Sequence, residues 1–323
     1  LASIVRWIHR MPPRWFIRSI YDLHVISHIG GSCMSDAAPE AMHTMDNRSS
    51  GPMEDIVALV TSTGPWSSAA LTALALSARF GGHVTGCYVD ISLRGIHGSD
   101  IDPSALAMLM DVPQENHADR DAFRATARSM GVRSASWSVT RASIASTMRQ
   151  VGAWHDLIVL ERDILQEPSL FDALGEALVA CRSPCLVLPP FWDGNADFKR
   201  VVIAWNGSIE SVRAIHAALP FAKAAREVIL IDGETPHYDD DPGQDPPFFP
   251  LNYLLTHDVP AKTHRIHVTP REAGSAIWRL AVQERADLLV TGAYGRSRLR
   301  ERALGGATRY LLHHASIPML VQH

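Results

Sequence analysis

At 323 residues the chain is long enough for two ordinary domains, each able to bury its own core. A hydrophobic fraction of 46% beside 20% charged residues is that of a soluble globular protein, and no run approaches the roughly 18 apolar residues that span a bilayer. A net charge of −4 argues against general attraction to nucleic acid, and four scattered cysteines (Cys33, Cys87, Cys181 and Cys185) are too few for a disulfide scaffold and fit a reducing cytoplasm.

Residues 1–53 differ in character from the rest. Arg6, Arg10, Arg14 and Arg18 recur every fourth residue, which on a helix aligns them as one basic stripe. Pro12 and Pro13 interrupt that helix, and the polar, small-residue stretch from Gly30 to Pro52 reads as a tether. The chain opens on Leu, with Met34, Met42, Met45 and Met53 ahead of the first strand, so the segment is expected to be a disordered extension, outside the natural product or serving as an anchor.

From Asp55 onward, strands and helices alternate. In the first half, DIVALVTST, HVTGCYVD, RSASWSV, DLIVL and PCLVLP read as strands. Between them lie the helical SSAALTALALSARFG, closed by Gly81, a helical tract between Pro103 and Met130, ASIASTMRQVGAWH and SLFDALGEALVACR. The second half repeats the rhythm with the strands RVVIAWNGS, EVILIDGE, AKTHRIHV, DLLVTG and PMLVQH. Its helices are ESVRAIHAALPFAKAA, EAGSAIWRLAVQERA and ATRYLLHHAS, with a long irregular segment before AKTHRIHV. Strands that are apolar throughout belong to a parallel sheet covered on both faces, because parallel neighbours need crossovers. The boundaries are a first domain over 54–190, a linker over 191–199 and a second domain over 200–323. The closing strands CLVLP and PMLVQ are candidates to pair edge to edge.

Ligands of such sheets lie at the carboxyl ends of the strands, where strand order reverses. In the second half that selects Trp205 to Ser208, Asp232 to Glu234, and Gly292 onward. Gly292 and Gly295 follow the fourth strand, and Gly305 and Gly306 open the next helix with Thr308 in its first turn. Glycines admit close backbone approach, and a helix start offers unpaired N–H groups to an anion. Arg296, Arg298, Arg300, Arg302 and Arg309 make the neighbourhood basic and suit phosphate through the planar guanidinium. The same residues also fit a plain glycine-bounded connection with a solvated arginine face. A Rossmann G-x-G-x-x-G and a Walker loop are both missing, and no Ser–His–Asp or Cys–His grouping is legible. The acidic run His237–Asp245 lacks the spacing of a calcium loop and reads as a solvated loop or a flap.

The spacing Gly292-x2-Gly295-x9-Gly305, followed by a helix and the IPMLV strand, resembles the nucleotide-binding motif of the universal stress protein family. VVIAWNGSIESVRAIHAALP is similar to that family's first strand and helix, and the FWDGNADFK linker to its tandem bacterial members. The resemblance runs from Asp55 to His323, at motif level from Arg200 onward and topological before it. It implies an α/β fold of two tandem doubly wound parallel-sheet domains, Rossmann-like and of the adenine-nucleotide alpha-hydrolase type, packed as an intrachain pseudo-dimer. It further implies a cytoplasmic stress-response regulator whose second domain binds an adenine nucleotide (ATP or AMP, with Mg accompanying ATP) and hydrolyses it slowly at most. Carried over, Gly292, Gly295, Arg296, Gly305, Gly306 and Thr308 belong to the phosphate loop, Asn206 to the nucleoside, and Asp232 to the base. No metal site, catalytic residue, nucleic-acid partner or membrane partner is implied, and two chains can associate further. One departure stands out: Gly306 occupies the position where the family motif has Ser or Thr, which leaves open an interaction protein of the same fold without nucleotide, or a weak ATPase.

The first half diverges. Aligning Asp156 with Asp287 sets Glu161 opposite Gly292 and Ile164 opposite Gly295, and Pro184 with Pro318 sets Phe171 and Asp172 opposite Gly305 and Gly306. Carboxylates at Glu161, Asp163 and Asp172 repel phosphate, so no nucleotide is expected there.

Overall fold

The computed structural model describes residues 53–90, 117–164, 171–233, 249–293 and 306–323. The extension expected over 1–53 (Met53 apart), the acidic run His237–Asp245, and Gly295, Arg296 and Gly305 of the glycine loop lie outside them. The described residues all belong to one unit, Arg48–His323.

The first half carries β1 (Asp55–Val60), α1 (Ser68–Phe80), β2 (His83–Val89), α2 (His117–Ser129), β3 (Ser134–Thr140), α3 (Ile144–Gly152), β4 (Leu157–Glu161), α4 (Phe171–Ala180) and β5 (Cys185–Leu188). The second carries β6 (Arg200–Trp205), α5 (Ile209–Ala224), β7 (Glu227–Asp232), α6 (Pro250–Thr256), β8 (Ala261–Arg265), α7 (Ala273–Gln283), β9 (Leu288–Gly292), α8 (Gly306–His314) and β10 (Met319–Gln322). The strands read from the sequence are all present. Helix α6, within the stretch read as irregular, was not anticipated; Pro250 opens it, at a position where the missing N–H has no helical acceptor to lose.

One sheet holds all ten strands in the order β3-β2-β1-β4-β5-β10-β9-β6-β7-β8. Outward from the centre, each half repeats the same arrangement. Neighbours are parallel throughout except at the seam, where β5 and β10 run antiparallel with Val187 opposite Met319 and Cys185 opposite Val321. Alternate strand residues feed opposite faces: Ile56, Ala58 and Val60 join a core beneath α1 and α5, and Val57 and Leu59 join one beneath α3, α4, α7 and α8. Both cores cross the seam.

The repeat extends to single hydrogen bonds. Asp156 Oδ2 accepts the N–H groups of Glu54 and Asp55 at 2.9 and 3.0 Å, and Asp287 Oδ2 accepts those of Lys199 and Arg200, both at 2.9 Å. Ile158 N–H donates to Pro184 O and Leu289 N–H to Pro318 O, each at 3.0 Å. The N–H groups of Arg162 and Ala293 likewise reach Leu188 O and Gln322 O, at 2.8 and 2.7 Å. These pairs set Glu161 at the place of Gly292. The helices after β1 and β6 begin alike too: Ser67 accepts from Ala70 N–H and Ser208 from Ser211 N–H, each satisfying one orphan donor of the first turn.

Two contacts across the seam are not repeated. The Arg162 guanidinium donates to Leu312 O at 2.7 Å and to Ala315 O at 2.8 Å, closing the carboxyl end of α8 where the helix dipole favours a cation. Gln322 Nε2 donates to Arg182 O at 2.9 Å, just beyond α4. The linker is also held: Arg79 donates to Ala196 O at 3.1 Å, Ser68 Oγ donates to Trp192 O, and Ala196 and Phe198 are buried.

Gly292 ends β9 directly against the first turn of α5. A Cβ built there stands 2.6 Å from Ser211 N and 2.7 Å from the carbonyl carbon of Glu210, so any side chain pushes helix from strand. Gly292→Ala is therefore expected to destabilise the fold by about 1–3 kcal/mol, read from the urea midpoint. Arg162→Ala strips a charged donor from two carbonyls, and a loss of roughly 1.5–3 kcal/mol is expected; an unchanged midpoint would show that water replaces the guanidinium at no cost.

Candidate functional site

In the second half, strand order reverses between β6 and β9, so the crevice at their carboxyl ends is the expected ligand position. Three chain segments reach it. The turn after β6 brings exposed Asn206, whose Oδ1 accepts from Ser208 N–H at 3.1 Å and folds the chain back toward α5. Gly207, at φ 72°, supplies the left-handed residue that lets this turn close within two residues of the strand. The end of β9 brings Gly292, and α8 begins at Gly306.

Thr308 is buried, and its Oγ1 donates to Gly292 O at 3.3 Å, tying the start of α8 to the end of β9. The hydroxyl foreseen two residues beyond Gly306 thus lies beside Gly292. A Cβ built on Gly306 meets no atom of the described residues within 4 Å. Asp232 ends β7 next to β6, 3.6 Å from Arg265 Nε, and Gly233 N–H donates to Trp205 O at 3.0 Å. The residue after β10 lies on the other side. His323 Nδ1 lies 3.1 Å from Ala293 O, and Arg213 donates to His323 O at 3.3 Å.

The first half shows the same crevice differently filled. Glu161 Oε2 accepts from Thr61 Oγ1 at 2.7 Å, and its Oε1 accepts from Ser68 N–H, the first helical residue of α1, also at 2.7 Å. A carboxylate of the chain thus neutralises the positive end of α1 and occupies an anion position. The equivalent N–H in the second half belongs to Ile209, for which no acceptor is present among the described residues. Sequence alignment placed Glu161 opposite Gly292 and foresaw repulsion of phosphate. It missed the hydrogen bonds to α1, and the pair of serines opening that helix (Ser67 and Ser68) was the one available signal.

Away from the crevice, buried cysteines and aromatic rings are taken up in packing. Cys181 and Cys185 are buried with their Sγ atoms 3.9 Å apart, and Cys181 Sγ lies 2.8 Å from a Cβ built on Gly152. The hydrogen bond with Cys181, together with burial, pushes the Cys185 thiol well above its usual range, which makes it a poor nucleophile. Trp137 is buried among Trp66, Phe123 and Tyr88. Among the described residues, no group of three or more His, Cys, Asp or Glu side chains is arranged to hold a metal, and no helix is long and apolar enough to cross a membrane.

Comparison with known proteins agrees with this geometry. Residues 197–323 match the model of the universal stress protein family. The universal stress proteins MT1672 and Rv1636 of Mycobacterium tuberculosis are each 28% identical over 142 residues, covering 39% of this chain and 97% of theirs. Among solved structures, a universal stress protein from Archaeoglobus fulgidus is 16% identical with a TM-score of 0.56, covering 84% of this chain and 96% of its own. The Pseudomonas aeruginosa protein PA1789 is 14% identical with a TM-score of 0.53, over 84% of this chain and 92% of its own. At such identities these structures speak for the fold alone, and their coverage takes in both halves. Residues 197–323, with the crevice between β6 and β9, are a universal stress protein domain.

Proposed function

We propose that the chain is a tandem universal stress protein, two copies of one unit (54–190 and 200–323) joined as an intrachain pseudo-dimer, in which the second unit binds an adenine nucleotide as a regulatory ligand. The observation that carries this reading is the exchange of Glu161 for Gly292. The first copy satisfies its helix N-terminus with its own carboxylate, and among the described residues the second leaves the equivalent Ile209 N–H without one. An anion from outside the chain, such as a nucleotide phosphate, supplies the missing partner.

The residues present fit such a ligand. Gly292 keeps side chains out of the crevice, and the described residues leave room around Gly306 at the start of α8. Thr308 is a hydroxyl at the right end of that helix, and Asn206 and Asp232 stand at the neighbouring strand ends as polar partners for the nucleoside and base. Gly295, Arg296 and Gly305 complete the phosphate loop in this reading. A magnesium ion enters with ATP, held by the phosphates. The ligand acts as a signal, with slow hydrolysis as the upper limit of chemistry, in a cytoplasmic stress response. A scaffold without nucleotide is the competing reading, favoured by the glycine at 306.

Calorimetric titration of the full chain with ATP, AMP and cyclic AMP, each with and without magnesium, tests the proposal. Saturable binding of at least one is expected, and no binding at millimolar concentration would leave the scaffold reading standing. Gly306→Ser adds a hydroxyl where the described residues leave space, and affinity is expected to rise roughly tenfold, the worth of one hydrogen bond to a charged group. Unchanged affinity in that variant would place the phosphates away from α8.

A further inference from the structure

At the opposite end of the second half's strands, the amino ends of β6, β7 and β8 surround a concavity of about 690 Å³, within the range of small-molecule sites. Five cations line it (Lys199, Arg200, Arg226, Lys262 and Arg285) against two carboxylates, Glu227 and Asp287, an excess of three positive charges. The carboxylates are already engaged. Glu227 holds Arg200 at 2.9 Å and Lys262 beside it, while Asp287 receives the backbone N–H groups of Lys199 and Arg200. Lys199 is paired with Asp197 at 2.9 Å, and the charge of Arg226 also acts on Asp197. The exposed Arg285 side chain has no ion pair or hydrogen bond among the described residues.

The first copy of the fold provides an internal control. The paired hydrogen bonds of Asp156 and Asp287 make Glu54 and Asp55 the equivalents of Lys199 and Arg200, and Trp154 that of Arg285. His83 N–H donates to Glu54 O as Glu227 N–H donates to Lys199 O, which sets Gly82 at Arg226; strand register sets Ser136 at Lys262. None of the five equivalents is a cation. The backbone is built twice, so the fold itself does not require this basic set.

Arg285 also stands where its backbone is unfavourable. Helix α7 closes with Ala286 N–H on Ala281 O and Arg285 N–H on Val282 O, at 2.9 and 3.0 Å, the paired bonds of a Schellman ending. Arg285 is the left-handed residue of that ending, at φ 53°, a place that glycine takes without strain. A side chain kept there against backbone preference points to a task outside the fold.

We propose that this concavity is a second ligand site, for a small molecule carrying two or more phosphate groups, seated on Arg226 and Arg285. Arginine forks match phosphate oxygens, and the surplus charge draws a polyanion rather than a single anion. The site stands apart from the crevice between β6 and β9 and does not depend on what binds there.

Titration of the full chain with inorganic tripolyphosphate at low salt tests this. Saturable binding is expected, weakened at least tenfold by Arg226→Ala and by Arg285→Gly, with the melting temperature of Arg285→Gly unchanged or raised. Repeating the titration with ATP separates the two sources of the chemistry. A second ATP isotherm lost in Arg285→Gly assigns the site to a nucleotide's phosphate tail, and its absence beside tripolyphosphate binding assigns it to free oligophosphate. No tripolyphosphate binding at millimolar concentration, or affinity indifferent to both variants, overturns the proposal. A lowered melting temperature in Arg285→Gly also overturns it, by showing that Arg285 serves the fold.

Discussion

The seam between β5 and β10 fixes the placement of everything else. Each half is a parallel sheet whose last strand would be an open edge, with a row of unpaired N–H and C=O groups and apolar residues on both faces. Pairing the two edges antiparallel satisfies both rows at once and lets each core run on into the other. It sets the two halves in opposite senses along a common sheet, so their strand-end crevices open toward opposite ends. Arg162 and Gln322 then tie the helices of one half to the strands of the other.

Within that frame the copies differ chiefly in where charge is placed. The backbone hydrogen bonds of Asp156 and Asp287 are the same, and so are the serine caps that open α1 and α5. A helix N-terminus in such a sheet is a standing positive end that needs an anionic partner. The first copy meets the need internally with Glu161, whose carboxylate is held between Thr61 and the start of α1. The second copy has a glycine there, which brings β9 close to α5 and contributes no charge. One position thus decides whether the helix that follows the first strand of a unit meets a carboxylate of the chain.

Much of the fold is legible in the sequence because its signals are local. Apolar runs such as DLIVL and DLLVTG are buried on both faces, and Gly81 and the serine caps punctuate the helices beside them. The aspartate alignment that set Glu161 opposite Gly292 is reproduced by backbone hydrogen bonds. Contacts between distant segments are not legible. Glu161 and Ser68 are 93 residues apart, and Arg162 reaches Leu312 across 150, so neither partner marks the other in the sequence. The basic concavity draws on several segments, each carrying no more than a pair of neighbouring charges. Helix α6 is only seven residues long, too short for a helical period to announce it.

The position of the seam has a consequence for the covalent connection between the halves. Every residue of β5 and β10 is buried, at the middle of a sheet whose outer strands are β3 and β8. The linker lies along α1, anchored through Ala196 and Trp192, with Phe198 buried beyond. Proteolytic cleavage near the exposed Phe191 would therefore cut the chain without parting it. The two fragments would remain a single particle, held by the central strands, and would separate only when the sheet itself is lost.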